Sequence, residues 1–189
     1  QFLARQPAVI LDRDGVLNRA IVRHGKPYPP PTVEDVELLP GVVEACAALR
    51  QARFLLIVAT NQPDVALGSQ RQAVVEAIHA VLRARLPLDD IRVCYHSEAD
   101  GCPCRKPRPG LLLQAAQEWG VDLRGSFMVG DRWKDIEAGG RVGCKTVLID
   151  YGYAEDCPSQ PDHRARSLAE ASEWILTQGA VLTTREAQT

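Results

Sequence analysis

Apolar runs that precede stretches of helical spacing constrain the fold more than any other feature of this sequence. The runs are apolar throughout instead of alternating with polar residues, which is typical of strands buried on both faces of a parallel sheet. They cover residues 9–11, 54–59, 91–95, 127–129 and 145–149. Helical spacing covers residues 41–52, 70–86, 111–119, 135–139 and 167–176. This alternation predicts an α/β fold with a doubly wound, Rossmann-like parallel sheet, whose functional residues lie at the carboxyl ends of the strands.

Length and composition favour one globular domain over residues 1–189. The chain is 46% hydrophobic and 24% charged, with a formal net charge of −2 and a calculated pI of about 6.1. This balance predicts no nucleic-acid or membrane partner, and no apolar run approaches the roughly 20 residues of a membrane span. No signal peptide is visible, although the sequence begins at Gln1 without an initiator Met. We expect a cytoplasmic protein, and a monomer because no long apolar stripe is left unassigned.

The cysteine spacing argues against a disulfide framework and for a reducing compartment, although six cysteines are present. Cys46 and Cys144 lie in apolar elements and are interpreted as buried free thiols, while Cys157 lies in a polar loop with no assigned role. The other three and a histidine form a CxH…CxC pattern: Cys94, His96, Cys102 and Cys104. Four such ligands predict a closed, tetrahedral, structural Zn²⁺ site. The alternatives are a coincidence of buried thiols or redox switching between the last two cysteines.

Two insertions interrupt the alternation of strands and helices. Residues 18–40 are rich in proline, and residues 96–108 form the predicted metal loop. We expect both to cover a substrate at the carboxyl edge of the sheet, and both are too short to form an additional large cap domain. The metal loop ends in two cations, Arg105 and Lys106. A zinc-stiffened turn would hold these cations toward an anionic substrate.

Polar side chains stand where the predicted strands end: Asp12, Asp14, Thr60, Asn61 and Asp131. The aspartates can hold Mg²⁺ through oxygen ligands, Asp12 can attack phosphorus, and Asp14 can act as general acid and base. The Thr–Asn pair and Lys106 can stabilise the phosphoryl oxygens. Taken singly, each residue also fits an ordinary turn, helix cap or solvated charge. Their common position at strand ends favours phosphoryl chemistry.

Four motifs resemble those of the haloacid dehalogenase (HAD) superfamily of aspartate-nucleophile phosphohydrolases. They are LDRDGVLN (11–18), VATNQ (58–62), CxH…CxCRKPRPG (94–110) and VGDRWKDIEAG (129–139). The cysteine motif is similar to that of the subfamily IIIA group, which contains heptose bisphosphate and histidinol-phosphate phosphatases. The resemblance implies a HAD-type sheet without a large cap domain, with Asp12 as nucleophile and Asp14 as general acid and base. It also implies Mg²⁺ on Asp12, the Asp14 main-chain oxygen and Asp131, and phosphate contacts from Thr60, Asn61 and Lys106.

Some positions depart from the family's pattern or carry weaker expectations. Val16 stands where the first motif usually has threonine, and Pro63 follows the second motif. Asp135 is expected either to bind the metal through water or to orient Lys134 or Lys106. Arg105, with its planar guanidinium, suits a second, more distal phosphate on the substrate. The weakest candidates for anion or substrate contact are His24, Lys26, Arg132 and Lys134.

The leading hypothesis is a Mg²⁺-dependent phosphomonoesterase that acts on a small phosphorylated sugar or other metabolite. The resemblance implies the C7 phosphate of D-glycero-D-manno-heptose 1,7-bisphosphate, in heptose biosynthesis. Alternatives within the same chemistry are histidinol phosphate, another small metabolite, and a DNA 3′-phosphate, which the acidic pI disfavours. A non-catalytic zinc-stapled binding domain is the alternative from another class, and the presence of both Asp12 and Asp14 argues against it.

Overall fold

The computed structural model describes residues 5–186, with side chains described for residues 5–178. The strands are β1 (Ala8–Leu11), β2 (Ile21–Arg23), β3 (Lys26–Tyr28), β4 (Leu55–Asn61), β5 (Asp90–Cys94), β6 (Phe127–Gly130), β7 (Lys145–Ile149) and β8 (His163–Ala165). The helices are α1 (Val42–Gln51), α2 (Gln72–Arg85), α3 (Gly110–Trp119), α4 (Trp133–Arg141) and α5 (Leu168–Glu186). None of the helices in the described part of the chain is long and apolar enough to cross a bilayer.

Six of the strands form one parallel sheet with the order β5-β4-β1-β6-β7-β8. In the centre of the sheet, Ile10 of β1 pairs with Ile57 of β4 and with Met128 of β6. The chain builds outward first on the β4 side and then on the β6 side, which makes the end of β1 a topological switch point. Open α/β sheets bind ligands in the crevice at such a point. Asp12 follows β1 directly and therefore lies at this crevice.

Alternate residues of β1 pack against helices on opposite faces of the sheet. Val9 and Leu11 belong to a core with residues of α1, α2 and α5, whereas Ala8 and Ile10 belong to a core with residues of α3 and α4. All four side chains are fully buried, and burying a Leu or Ile stabilises a fold by roughly 1.5–3 kcal/mol. Burial on both faces explains why the strands are apolar throughout, and it confirms the predicted doubly wound α/β fold.

The structure adds elements that the sequence pattern did not predict. Inside the 18–40 insertion, β2 and β3 pair as an antiparallel hairpin. These strands are short and largely exposed, and Pro27 interrupts the second one, so they carry no apolar signal. The edge strand β8 is equally short, and α5 continues past Gly179, a residue type that often marks a helix end. The two hairpin strands are the only strands or helices within residues 18–40.

The cysteines outside the predicted metal loop are free thiols. Cys46 and Cys144 are buried, as predicted. Burial raises the pKa of each thiol to about 12, so both stay protonated and unreactive near neutral pH. Cys157 is half-buried, and its thiol donates to the Ser159 carbonyl oxygen.

Candidate active site

A cleft of about 230 Å³ lies at the carboxyl edge of the sheet, beside the end of β1. Its walls bring together predicted site residues from four segments of the chain: Asp12, Asp14, Asn61, Arg105, Lys106 and Asp131. Three of the weaker candidates, Lys26, Arg132 and Lys134, line the cleft as well. Thr60 lies behind the lining, because it is 1% exposed and its hydroxyl accepts a hydrogen bond from Gln62 at 2.9 Å.

Asp12, Asp131 and Asp135 form a carboxylate cluster in the cleft. One oxygen atom of each lies within 4.8 Å of the others, and all three residues are buried. Gly15 allows the turn after β1 to approach Asp131 closely, because a Cβ at this position would lie 2.2 Å from Asp131 Oδ2. Its φ of 82° is also a conformation that L side chains rarely adopt. The chain therefore turns tightly after β1, and this turn packs directly against Asp131.

Lys106 is a buried cation within this cluster. Its ammonium group donates to Asp12 Oδ1 at 3.0 Å, to Asp135 Oδ1 at 2.6 Å and to the Ala59 carbonyl oxygen at 2.6 Å. Burial disfavours its charged form, but the two carboxylates outweigh burial and raise the pKa of Lys106. Asn61 accepts from the Lys106 backbone N–H at 3.1 Å and donates to its carbonyl oxygen at 3.0 Å. Lys106 is therefore a fixed positive charge beside the Asp12 carboxylate.

One lysine does not neutralise three buried carboxylates. Burial raises the pKa of Asp131 well above its ordinary value, and the charges of Asp12 and Asp135 raise it further. Burial and Asp12 also raise the pKa of Asp135 to about 6, although Lys106 opposes the shift. Asp131 Oδ1 is buried and has no hydrogen-bond partner in the described part of the chain. A divalent cation would satisfy both the excess negative charge and this oxygen, so the donor set fits an oxygen-preferring ion such as Mg²⁺.

Asp14 lines the same cleft, but its carboxylate lies outside the carboxylate cluster. Arg13 donates to it through Nε at 3.0 Å and through Nη2 at 2.9 and 3.1 Å. Asn18 and Gln62 donate to it at 2.9 and 3.0 Å. Asp12 and Asp14 therefore occupy different environments, as is expected for two carboxyl groups with different chemical roles.

His79 of α2 supports the Arg13 side chain. Its Nε2 atom lies 3.0 Å from Arg13 Nη1, and because a guanidinium only donates, the neutral ring accepts this hydrogen bond. Burial and the positive charge of Arg13 lower the pKa of His79 to about 3. Arg13 is itself fully buried. The buried Arg13 and His79 therefore form a chain of contacts that holds the partly buried Asp14 carboxylate in place.

Replacing His79 with glutamine should reduce the sensitivity of the fold to acid. In the folded protein the pKa of His79 is about 3, whereas an unfolded histidine titrates at about 6.5. Below about pH 6.5 the unfolded wild-type chain binds the additional proton, so the wild type loses on the order of 1 kcal/mol per pH unit relative to the glutamine variant. Urea unfolding at about pH 7.5 and about pH 5 measures this difference. A stability gap between the two proteins that is the same at both pH values would contradict the prediction.

Positive charges surround the mouth of the cleft. Arg105 pairs with Glu98 at 3.0 Å, and Arg132 pairs with Glu155 at 2.7 Å. Burial lowers the pKa of Lys134, and the nearby charges of Arg105 and Arg132 lower it further. The two guanidinium groups therefore disfavour the charged form of Lys134, and an anionic group bound beside it would relieve this repulsion.

The four predicted zinc ligands converge at the end of β5. Cys94 Sγ lies 3.5 Å from Cys102 Sγ, 3.2 Å from Cys104 Sγ and 3.6 Å from His96 Nδ1. Tetrahedral sulfur and nitrogen ligands of Zn²⁺ are separated by roughly 3.5–3.8 Å, given bonds of about 2.0–2.3 Å. The observed spacing is close to these values, so the donor set fits a structural zinc ion. Four protein ligands would leave no position for a catalytic water.

Some contacts of the site have a weak signal in the sequence or none. Of the two roles expected for Asp135, the structure shows a direct contact with a lysine, Lys106. Its position four residues after Asp131, in the first turn of a helix, was the available signal. Tyr153 donates to Asp131 Oδ2 at 2.8 Å but lies beyond the four motifs. His24, at the turn between β2 and β3, is not among the residues that line the cleft.

Comparison with known proteins identifies the family. The HAD-hydrolase-like family profile matches residues 103–171. A D-glycero-beta-D-manno-heptose-1,7-bisphosphate 7-phosphatase of Pseudomonas aeruginosa is 42% identical over 149 residues, which cover 76% of this chain and 81% of that protein. The chain therefore belongs to the HAD-like hydrolase family, and it is a phosphatase.

Individual relatives extend this similarity to most of the chain. An Escherichia coli K12 protein with the same activity name is 33% identical over 184 residues, which cover 90% of this chain and 88% of that protein. The crystal structure of D,D-heptose 1,7-bisphosphate phosphatase from B. bronchiseptica, complexed with magnesium and phosphate, aligns with a TM-score of 0.75 at 31% identity. That alignment covers 91% of this chain and 99% of the other. These two matches cover 90% and 91% of this chain, and therefore extend well beyond the four motifs.

Proposed function

We propose that this phosphatase removes the C7 phosphate of D-glycero-D-manno-heptose 1,7-bisphosphate, with Asp12 as nucleophile and Mg²⁺ as cofactor. The observation that carries the proposal is the contact of Asp12 Oδ1 with the buried Lys106 ammonium, 3.0 Å away in the cleft. A fixed cation beside a carboxylate lowers the electrostatic cost of bringing an anionic phosphoryl group to it. The activity names of the relatives support the choice of substrate.

The reaction takes place in two displacements at phosphorus. In the first, an Asp12 oxygen attacks phosphorus and the bond between phosphorus and the C7 oxygen breaks. Asp14 donates its proton to the leaving alkoxide, which becomes the C7 hydroxyl. In the second, Asp14 takes a proton from a water molecule whose oxygen attacks phosphorus, and the bond between phosphorus and Asp12 breaks. Inorganic phosphate leaves, and both aspartates return to their initial protonation states.

Asp12, Asp131 and the Asp14 main-chain oxygen would hold Mg²⁺, and Asp135 is a further oxygen donor of the same cluster. When bound, the ion neutralises negative charge between the nucleophile and the phosphoryl group. The chain's own residues contribute independently of the ion. Lys106 holds the Asp12 carboxylate by a direct hydrogen bond, and Arg13 keeps Asp14 oriented for proton transfer.

A structural Zn²⁺ would be held by Cys94, His96, Cys102 and Cys104. The last of these cysteines directly precedes Arg105 and Lys106 in the chain. Fixing the loop at this point would hold the Lys106 ammonium beside the transferred phosphoryl group and keep Arg105 in the wall of the cleft. The planar guanidinium of Arg105 there suits the second phosphate of a bisphosphate.

Cys102→Ala should empty the zinc site and loosen the loop that carries both cations. We expect bound zinc to fall about tenfold or more, with a lower thermal midpoint and at least about a tenfold lower kcat/KM. Elemental analysis, thermal unfolding and steady-state kinetics measure the three effects. Cys157→Ala is the matched control, because Cys157 is a free thiol outside the cluster. Zinc content, fold and kinetics that are unchanged in Cys102→Ala would contradict the zinc assignment.

Phosphate release from a panel of esters tests the proposed substrate. The panel contains both anomers of heptose 1,7-bisphosphate, histidinol phosphate and an oligonucleotide with a 3′-phosphate, each with Mg²⁺ present. We expect kcat/KM for one bisphosphate anomer to exceed that for histidinol phosphate by about 100-fold, which corresponds to about 3 kcal/mol from charge-assisted contacts to the second phosphate. NMR should find that the product keeps its C1 phosphate. Preference for histidinol phosphate, or loss of the C1 phosphate, would overturn the proposal.

A further inference from the structure

A short segment after β7, residues 151–155, lies against the carboxylate cluster and carries none of the four sequence motifs. Tyr153 of this segment donates its phenol hydroxyl to Asp131 Oδ2 at 2.8 Å. Tyr151 donates its hydroxyl to the Gly15 carbonyl oxygen at 2.7 Å. The two rings lie 5.5 Å apart between centroids. The segment therefore contacts both the turn after β1 and the carboxylate that follows β6.

The Asp131 carboxylate is confined on its Oδ2 side. Tyr153 occupies that oxygen with a hydrogen bond, and Gly15 lies so close that a Cβ would come within 2.2 Å of it. The other oxygen, Oδ1, is buried and has no hydrogen-bond partner in the described part of the chain. The donor from Tyr153 thus fixes the orientation of the carboxylate and leaves one oxygen available to a cation.

Further contacts anchor the segment so that Tyr153 has a fixed position. Glu155 accepts from Arg132 Nε at 2.8 Å and from the Trp133 backbone N–H at 3.3 Å. On the other side, the Ala154 backbone N–H donates to the Gly25 carbonyl oxygen in the β2–β3 turn at 3.2 Å. The segment that carries Tyr153 is therefore attached both to the start of α4 and to the β2–β3 hairpin.

We infer that Tyr153 is a positioning residue for Asp131 and that it sets the affinity of the carboxylate cluster for a divalent cation. The inference rests on the proposed function, in which Asp131 is a ligand of Mg²⁺. Hydrogen bonds to metal-ligating carboxylates typically contribute about 10- to 100-fold in metal affinity. A hydroxyl that donates to Oδ2 restricts rotation of the carboxylate, so the entropy lost on binding the ion is smaller.

Tyr153→Phe tests the inference, since it deletes one hydroxyl and keeps the ring. Calorimetric titration with Mg²⁺ alone should give a dissociation constant raised about 10- to 100-fold. In steady-state assays the Mg²⁺ concentration for half-maximal rate should rise by a similar factor, while kcat at saturating Mg²⁺ stays within about threefold of wild type. Tyr151→Phe is the matched control, because its hydroxyl bonds a backbone oxygen and its loss should leave the Mg²⁺ affinity unchanged.

The outcomes separate this inference from the proposed function. Equal Mg²⁺ affinities for wild type and Tyr153→Phe would overturn the inference, and so would an equal loss in both phenylalanine variants, which would indicate general loosening of the segment. A wild-type protein that binds Mg²⁺ with the expected difference between variants, but releases no phosphate from any ester in the panel, would overturn the proposed function and leave the role of Tyr153 standing.

Discussion

Asp12→Asn should abolish phosphate release, lowering kcat by about 10⁴-fold or more, because removing the nucleophile of a covalent mechanism typically costs this much or more. The amide keeps the size of the side chain but cannot form the bond to phosphorus. Asp12 lies in the cleft within 3.0 Å of Lys106, so the substitution removes the attacking atom and leaves the rest of the cleft in place. Steady-state release of inorganic phosphate from heptose bisphosphate measures the effect.

Stability separates this loss of rate from a loss of fold. Asp12 raises the pKa of both Asp131 and Asp135 through like-charge repulsion, and Asp12→Asn relieves that repulsion. We therefore expect the thermal midpoint of the variant, measured without Mg²⁺, to equal or exceed that of the wild type. Asp64→Asn, a change of the same kind in the wall of the same cleft, is the matched control and should keep kcat within a few-fold. A fully folded Asp12→Asn variant with substantial activity would contradict the mechanism.

Lys106→Met should affect both stability and catalysis. The Lys106 side chain is 2% exposed, and its ammonium group bonds two buried carboxylates, Asp12 and Asp135. Removing one partner of a buried ion pair typically costs about 3–5 kcal/mol, since the remaining charges stay buried without compensation. We also expect kcat to fall about 100- to 1,000-fold, because a preorganised charge beside the reacting phosphoryl group is lost. Urea unfolding without added Mg²⁺ at about pH 7.5 and phosphate-release kinetics measure the two effects.

The stability deficit of Lys106→Met should shrink as the pH falls. Even with Lys106 present, burial and Asp12 raise the pKa of Asp135 to about 6, and without the lysine this pKa rises further. A carboxyl group with a raised pKa in the folded state destabilises the fold above that pKa and ceases to do so once it is protonated. The deficit is therefore largest above about pH 7 and smallest near about pH 4, below the ordinary carboxyl pKa. Lys134→Met, at the cleft mouth, is the control and should cost less than about 1 kcal/mol. Equal stabilities for Lys106→Met and wild type would contradict the account of the cluster.

The parts of the fold that were predictable are those in which burial leaves a local pattern. The runs at residues 9–11 and 54–59 are apolar because both faces of the sheet are covered. A short run of this kind is typical of a strand in a parallel sheet. The β2–β3 hairpin is largely exposed and contains Pro27, so no apolar period marks it. Its strands pair through backbone hydrogen bonds, which leave no apolar pattern in the sequence.

The candidate site likewise contains residues that the sequence predicts and supporting contacts that it does not. Asp12 and Asp131 were predictable because each follows an apolar strand, and the parallel sheet brings those ends together. The contact between Arg13 and His79 joins residues 66 positions apart, and the Tyr153 hydroxyl reaches back 22 positions to Asp131. Neither pair has a local pattern, because a contact between a loop and a distant helix or strand end depends on how the whole chain packs. The supporting contacts of the site therefore required the structure.

Chemical trapping of the phosphorylated residue tests the central claim most directly. The wild-type protein is mixed with heptose bisphosphate and Mg²⁺, quenched in acid within one turnover, and reduced with borohydride, which converts an aspartyl phosphate to homoserine. Peptide mass spectrometry should find homoserine at position 12, at no other aspartate, and not in Asp12→Asn. An unmodified Asp12 in a sample that is turning over substrate, or homoserine at a different aspartate, would contradict the assignment of Asp12 as the nucleophile.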